Sequence, residues 1–263
     1  SGESTSNPFR LTNAGDPVNR DLTNIREAFE LNLSFLNLKA FYDKTNIKED
    51  LIAGERRDTT DFISYGFNVF GKYSYKTKGL NNMFIYGVDF IKDDQSGERG
   101  GGIERASIFP SGKTKNEGVF LENALEYKRF KMLIGGRLDY YTLESGRESL
   151  SYNSGFLKKA SVGYEITEGL TPFVRYTEGY RAPFLKETFA SGSIVSVPFF
   201  NLNLLSNTSL NAEYSKNYEV GFKFVKDFYM EGDGVFLDGI YFMQDIEDFI
   251  IQDPNCVPAT CAM

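Results

Sequence analysis

Phe130-Lys131-Met132-Leu133-Ile134-Gly135-Gly136-Arg137-Leu138-Asp139-Tyr140 sets Phe130, Met132, Ile134, Leu138 and Tyr140 on one side of an extended chain and Lys131, Arg137 and Asp139 on the other. Successive side chains of a strand point to opposite faces, so a period of two marks a strand with one apolar face. The pattern recurs in both directions along the chain. Tyr65, Phe67, Val69, Tyr73 and Tyr75 oppose Ser64, Asn68, Lys72 and Ser74, and Phe84, Tyr86, Val88 and Phe90 oppose Asp89. Val119, Leu121, Leu125 and Tyr127 oppose Glu122, Glu126 and Lys128; Tyr214, Tyr218, Val220, Phe222 and Phe224 oppose Ser215, Asn217, Glu219 and Lys223. Aromatic and β-branched residues fill these windows, as strands favour.

About ten such segments emerge, most near the length of a tilted strand that crosses a bilayer. Their connections alternate. Short links fall near Ser34-Phe35, Lys76 to Asn81, Arg129, Glu168-Gly169 and Phe228 to Gly234. Long polar links fall at Asn46 to Thr60, Asp93 to Asn116, Glu144 to Gly155 and Pro183 to Asn211. Short turns on one side and long loops on the other predict an antiparallel transmembrane β-barrel, with periplasmic turns and extracellular loops. A soluble sandwich also alternates, but it places its apolar faces in a core. Here Tyr and Phe cluster at strand ends, where an interfacial girdle needs them.

Charged residues make up 25% and hydrophobic residues 41%, which taken alone describe an ordinary soluble globular protein. Less ordinary is the 15% aromatic share, which comes from Tyr and Phe alone. No stretch reaches the roughly 20 apolar residues of a membrane helix, which leaves a barrel open because strands give only a weak hydropathy signal. The net charge of -7 argues against a nucleic-acid partner, which would require clustered cations. Cys256 and Cys261 fit a small disulfide loop in an oxidising compartment, with two unrelated thiols as the alternative. The chain has no His and no second Cys pair, so a zinc site is not expected.

Two boxes stand out where strands meet loops. The first is Gly179-Tyr180-Arg181-Ala182-Pro183. The second runs Asn207-Thr208-Ser209-Leu210-Asn211-Ala212-Glu213 and leads into Asn217-Tyr218-Glu219-Val220-Gly221-Phe222. Pro183 cannot donate to a ladder and so marks where pairing stops. Arg181 beside that exit is placed to anchor the next loop on a carboxylate, with Glu187, Glu213 and Glu219 as candidates. The alternative is that these residues merely shape a strand end.

The pair resembles the Tyr/Phe-Arg-Ala-Pro and Asn-Pro-Asn-Leu-x-Pro-Glu boxes of TonB-dependent outer-membrane haem receptors. The resemblance extends to Phe109-Pro110-Ser111-Gly112-Lys113, Gly118-Val119-Phe120-Leu121-Glu122, Gly136-Arg137-Leu138-Asp139-Tyr140-Tyr141 and Gln244-Asp245-Ile246-Glu247-Asp248-Phe249-Ile250. It implies that residues 1–263 are part of a barrel of roughly 22 strands, with the plug domain and the C-terminal strands outside the chain. It further implies a bacterial outer-membrane importer energised by TonB-ExbB-ExbD through the plug. The cargo would be haem, with haemoglobin or another haem carrier as its source.

There are departures from the family pattern. Both prolines of the second box are absent, which predicts a less rigid loop. The loop from Phe184 to Asn207 offers Phe184, Phe189, Phe199 and Phe200 to a porphyrin face, but no His, Tyr, Met or Cys to its iron. Tyr141 and Tyr152, read as lying in the neighbouring loop, are iron-ligand candidates beside their plainer reading as girdle or loop tyrosines. A ferric siderophore is therefore the alternative cargo, and a passive porin-like barrel the less favoured architecture. Enzyme readings find little support: without His there is no His-based triad or base. Arg99-Gly100-Gly101-Gly102 opens no helix and makes no phosphate cradle.

Overall fold

The alternating windows become strands of one antiparallel sheet in the computed structural model. It describes residues 18–51, 56–99, 103–104, 110–146, 148–197, 200–227, 234–251 and 261–262. In chain order the elements are β1 (Val18–Asn32), β2 (Leu36–Leu51), β3 (Arg56–Thr77), β4 (Leu80–Arg99), β5 (Ile103–Glu104), β6 (Gly112–Tyr127), β7 (Phe130–Ser145), β8 (Glu148–Asn153), β9 (Leu157–Tyr164) and β10 (Leu170–Arg181). Then come α1 (Leu185–Phe189), β11 (Gly192–Val197), β12 (Phe200–Leu205), β13 (Glu213–Lys226), β14 (Val235–Glu247) and β15 (Cys261–Ala262).

The main sheet runs β1-β2-β3-β4-β6-β7-β9-β10-β13-β14, each strand beside its predecessor, while β5 extends β4 and β8 extends the pairing of β7. It does not close on itself among the described residues: β1 and β14 are its edges. One end carries tight turns, such as Lys78-Gly79, where Gly79 takes a φ of 81° that a Cβ would make costly. The other end carries the long connections.

Register aligns the apolar residues into one continuous outer face. Val69, Val88, Val119 and Leu138 follow one another across four strands, and Val162, Val174, Val220 and Tyr241 do so across the next four. Among the described residues nothing covers this face: Leu121 and Val174 are each 55% exposed and Tyr241 72%. A soluble sandwich would bury them, so the barrel reading stands and the sandwich fails. Tyr65, Tyr140, Tyr176 and Tyr218 edge the face toward the loops, and Tyr73, Tyr75, Tyr127 and Tyr164 edge it toward the turns. The ten residue steps from Tyr65 to Tyr75, at ~3.3 Å each on a strand tilted ~40°, span about 25 Å, the height of a lipid-facing band.

Leu121 lies midway in this band, so Leu121→Arg should cost about 2–4 kcal/mol. Glu126→Gln, on the opposite face of the same strand, should stay within about 0.5 kcal/mol. Urea unfolding of the full-length receptor refolded into lipid measures both.

The inner face is laced with ion pairs: Arg20–Glu49 at 2.6 Å, Arg26–Asp43 at 2.7 Å, Lys159–Glu122 at 3.0 Å and Arg175–Glu219 at 3.0 Å. Arg137 bridges Asp89, at 2.8 Å, and Asp139. Gly118 lies opposite Asp139, and a Cβ there would strike the Arg137 guanidinium.

Three of the polar stretches expected as loops are largely strand. In Asn46 to Thr60, β2 and β3 stay paired out to Leu51 and Arg56; β4 continues to Arg99, and β6 begins at Gly112 within Asp93 to Asn116. Glu144 to Gly155 holds β8. Beyond the lipid band both faces of a strand meet water or polar groups. The apolar half of the alternation then disappears, although the ladder hydrogen bonds continue.

Candidate functional site

The two boxes meet on one rung of the ladder, where Arg181, the last residue of β10, pairs with Glu213, the first of β13. Arg181 Nε and one terminal nitrogen each donate to Glu213 at 2.6 Å, and the other terminal nitrogen donates to both Glu187 oxygens at 2.8 and 3.1 Å. Glu213 also accepts the backbone N–H of Ile250 at 2.7 Å. One guanidinium thus ties the exit of β10, helix α1, the start of β13 and the segment after β14. Bidentate, charge-assisted pairing of this kind is both strong and directional. The rung lies beyond the lipid band, and hydrogen bonds from Arg181 hold the Glu213 carboxyl below its usual range, against the opposing effect of burial.

Glu219, the third candidate, does not reach Arg181. It pairs with Arg175 farther along the same inner face. Period two puts Glu213 and Glu219 on one side, and only the register separates them.

After Arg181 the chain turns inward. Ala182 and Pro183 are buried, and α1 begins with Glu187 accepting the Phe184 N–H at 2.8 Å. Leu185 and Thr188 are buried, and α1 packs on β6 and β7, where a Cβ at Gly112 would press on Leu185. The fully buried Leu143 belongs to the same end of β7. Phe184 remains 57% exposed with its ring under the Arg181 guanidinium, 4.9 Å from centroid to Cζ; Phe189 is half-buried.

The second box is pinned despite its missing prolines. Asn207 Oδ1 accepts from the Ser209 N–H at 3.2 Å and its hydroxyl at 2.7 Å, a local turn that does the work of a proline. The Asn207 N–H donates to Thr188 O at 2.8 Å, and Leu210 O accepts the Tyr152 hydroxyl at 3.2 Å. Tyr141 and Tyr152 are therefore not loop residues: they face each other across β7 and β8. Tyr141 lines a cavity of about 330 Å³ with Asn116, Arg137, Asp139, Tyr180, Arg181, Ala182 and Phe184. Tyr180 Oη and Asn116 Oδ1 are buried and without a hydrogen-bond partner.

Of the other expected residues, Phe200 opens β12, Phe199 lies outside the described residues, and so does the proposed bond of Cys256 with Cys261. Among the described residues no cluster of three or more His, Cys, Asp or Glu is placed for a metal. The Asp89–Arg137–Asp139 bridge and helix α1 were not anticipated from sequence. The glycine at 118 opposite a lone Asp on an inner face was the available sign of the first.

A wall apolar outside, ion-paired inside and carrying a long connection rooted by one guanidinium at its mouth is a segment of a transmembrane barrel. Residues 2–262 match the family model described as TonB dependent receptor-like, beta-barrel, and the chain belongs to that family. A Haemophilus influenzae protein named Heme/hemopexin utilization protein C is 26% identical over 223 residues, which are 81% of this chain and 30% of that protein. The chain thus spans under a third of that relative's length. The Serratia marcescens hemophore receptor HasR, solved with its hemophore HasA and heme, shares the fold at TM-score 0.73 and 18% identity, over 94% of this chain and 44% of HasR. The FrpB iron transporter of Neisseria meningitidis follows at TM-score 0.65 and 14% identity, over 94% of this chain and 39% of FrpB.

Proposed function

We propose that the chain is the partial barrel of a bacterial outer-membrane receptor, not an enzyme, that takes up haem for iron. Cargo is captured by the extracellular loops and passes the lumen when TonB-ExbB-ExbD acts on a plug encoded elsewhere in the longer protein. Haemoglobin or another haem carrier is the source, and outer-membrane lipid surrounds the apolar face. The observation that carries the reading is the Arg181 clamp, which ties the end of β10 to helix α1 and to the start of β13, in a chain whose sequence relative is named for haem and hemopexin use. Phe184 and Phe189 then form the apolar lip that cargo meets first, with Tyr141 and Tyr180 beneath it.

Titrating the full-length receptor with haemin and following the Soret band tests this. Phe184→Ser combined with Phe189→Ser should weaken haemin binding about tenfold, equal to ~1.4 kcal/mol. Tight binding of a ferric siderophore with no Soret change would replace haem as cargo. That second reading is favoured by the absence of His, Tyr, Met and Cys from Phe184 to Asn207.

A further inference from the structure

The outer face is hollowed where β9, β10, β13 and β14 lie side by side. A groove of about 440 Å³ crosses these strands there. Its floor is Val162, Val174 and Val220, which stand directly opposite one another in the register, with Tyr241 next in the same row. The next outward row toward the loops holds Ala160, Tyr176, Tyr218 and Met243. In it the Tyr176 and Tyr218 rings lie 5.1 Å apart and form a ridge, while the short Ala160 leaves one end low. The hollow sits just inside the loop-side tyrosines, so it faces hydrocarbon. An unfilled hollow there forfeits dispersion contacts, which a chain lying in it recovers.

Above the ridge the next outward row alternates in charge. Lys158 meets Glu178, Glu178 is opposite Lys216, and Lys216 is opposite Asp245. Glu178 is saturated: it accepts the Tyr176 hydroxyl at 2.6 Å, the Lys158 N–H at 2.9 Å and the Lys158 ammonium at 3.3 Å. Lys216 turns to Glu247 at 2.6 Å, which leaves Asp245 exposed and without an ion pair among the described residues. Lys158 and Lys216 against Glu178, Asp245 and Glu247 leave one negative charge in excess. That excess disfavours a headgroup carrying phosphate alone. Neighbouring strands are ~4.8 Å apart, so Lys216 and Asp245 present a cation and a carboxylate side by side. A headgroup with a phosphate and a free ammonium matches that pair.

We infer that this groove seats one acyl chain of a phospholipid with a phosphoethanolamine headgroup, its phosphate over Lys216 and its ammonium over Asp245. The inference rests on the barrel wall and is independent of the cargo.

Native mass spectrometry of the full-length receptor extracted from outer membranes tests it. Delipidated receptor is then given dioleoyl-phosphatidylethanolamine, dioleoyl-phosphatidylglycerol or lipopolysaccharide. The wild type should keep one phosphatidylethanolamine after other lipids are stripped. Val174→Phe with Val220→Phe fills the groove with apolar bulk and should weaken that binding about tenfold or more, ~1.4 kcal/mol. Val119→Phe, on the same face outside the groove, should leave it unchanged. Asp245→Asn should narrow the preference for phosphatidylethanolamine over phosphatidylglycerol by about two- to fivefold, the worth of an exposed ion pair. Mobility of the unboiled receptor in SDS reports folding, and Asp245→Asn keeps the test decisive should the filled variant not fold. Several results would overturn the inference: no phosphatidylethanolamine on the wild type, equal binding of phosphatidylglycerol or lipopolysaccharide, or a filled variant that binds as the wild type does. A receptor dimer that the filled variant abolishes would do so too, since a second copy would then occupy the groove.

Discussion

Replacing Arg181 with alanine is expected to release residues 182–212 from the barrel wall while leaving the wall folded. The substitution removes both forks of the guanidinium and leaves two carboxylates facing each other, Glu213 with 11% and Glu187 with 20% of its side chain exposed. Stranding a partner of a fully buried pair costs about 3–5 kcal/mol; partial exposure reduces this to about 2–3 kcal/mol here. Much of that cost falls on the loop, because β10 and β13 keep eleven further rungs of the ladder from Leu170–Phe224 to Tyr180–Tyr214. Limited proteolysis of intact cells should show new cleavage between 182 and 212 and no cleavage in the strands. Arg181→Lys keeps the charge but not the fork, and should fall between wild type and alanine. An unchanged cleavage pattern in Arg181→Ala would show that the clamp does not hold the loop.

The second large effect is expected at Arg137. This guanidinium bonds both oxygens of Asp89 at 2.8 and 2.9 Å and also pairs with Asp139, with 15% and 10% of the carboxylate side chains exposed. Arg137→Leu leaves two near-buried anions on adjacent sites, at a cost of about 3 kcal/mol or more. Because the bridge sits within β4 and β7 themselves, the penalty falls on the barrel. It should appear as a lower urea midpoint for the receptor in lipid. Adding Asp89→Asn and Asp139→Asn in the Arg137→Leu background should restore most of the midpoint, since neutral amides need no counter-ion. Failure of that rescue would mean Arg137 acts through packing, for instance against the Phe120 ring 5.9 Å away.

How far the chain could be read residue by residue depended on where each residue sits relative to the lipid. Phe130 to Tyr140 and Tyr65 to Tyr75 alternate because one face meets hydrocarbon and the other a polar lumen. Asn46 to Thr60 carries no such contrast, because the face that is apolar elsewhere there holds Asn46, Lys48, Asp50, Arg57 and Thr59, so the strand has no apolar stripe to show. Helix α1 has five residues, too few for a helical period to register. Tyr152 sits in a six-residue strand, too short for its alternation to stand out from the polar stretch around it.

By itself, the sequence determined that this protein is a lipid-facing antiparallel wall with turns at one end and long connections at the other. Period two and turn chemistry are local properties, written within a few residues of each other. It also marked Arg181 as an anchor needing a carboxylate. Tertiary structure alone decided that the carboxylates are Glu213 and Glu187 and not Glu219. Glu213 and Glu219 lie on the same face by sequence, and choosing between them requires the register of two strands joined through 31 intervening residues, 182–212. The same holds for the bridge of Asp89 and Asp139 through Arg137: it spans β4, β6 and β7, and pairing across three strands has no signature in any one of them.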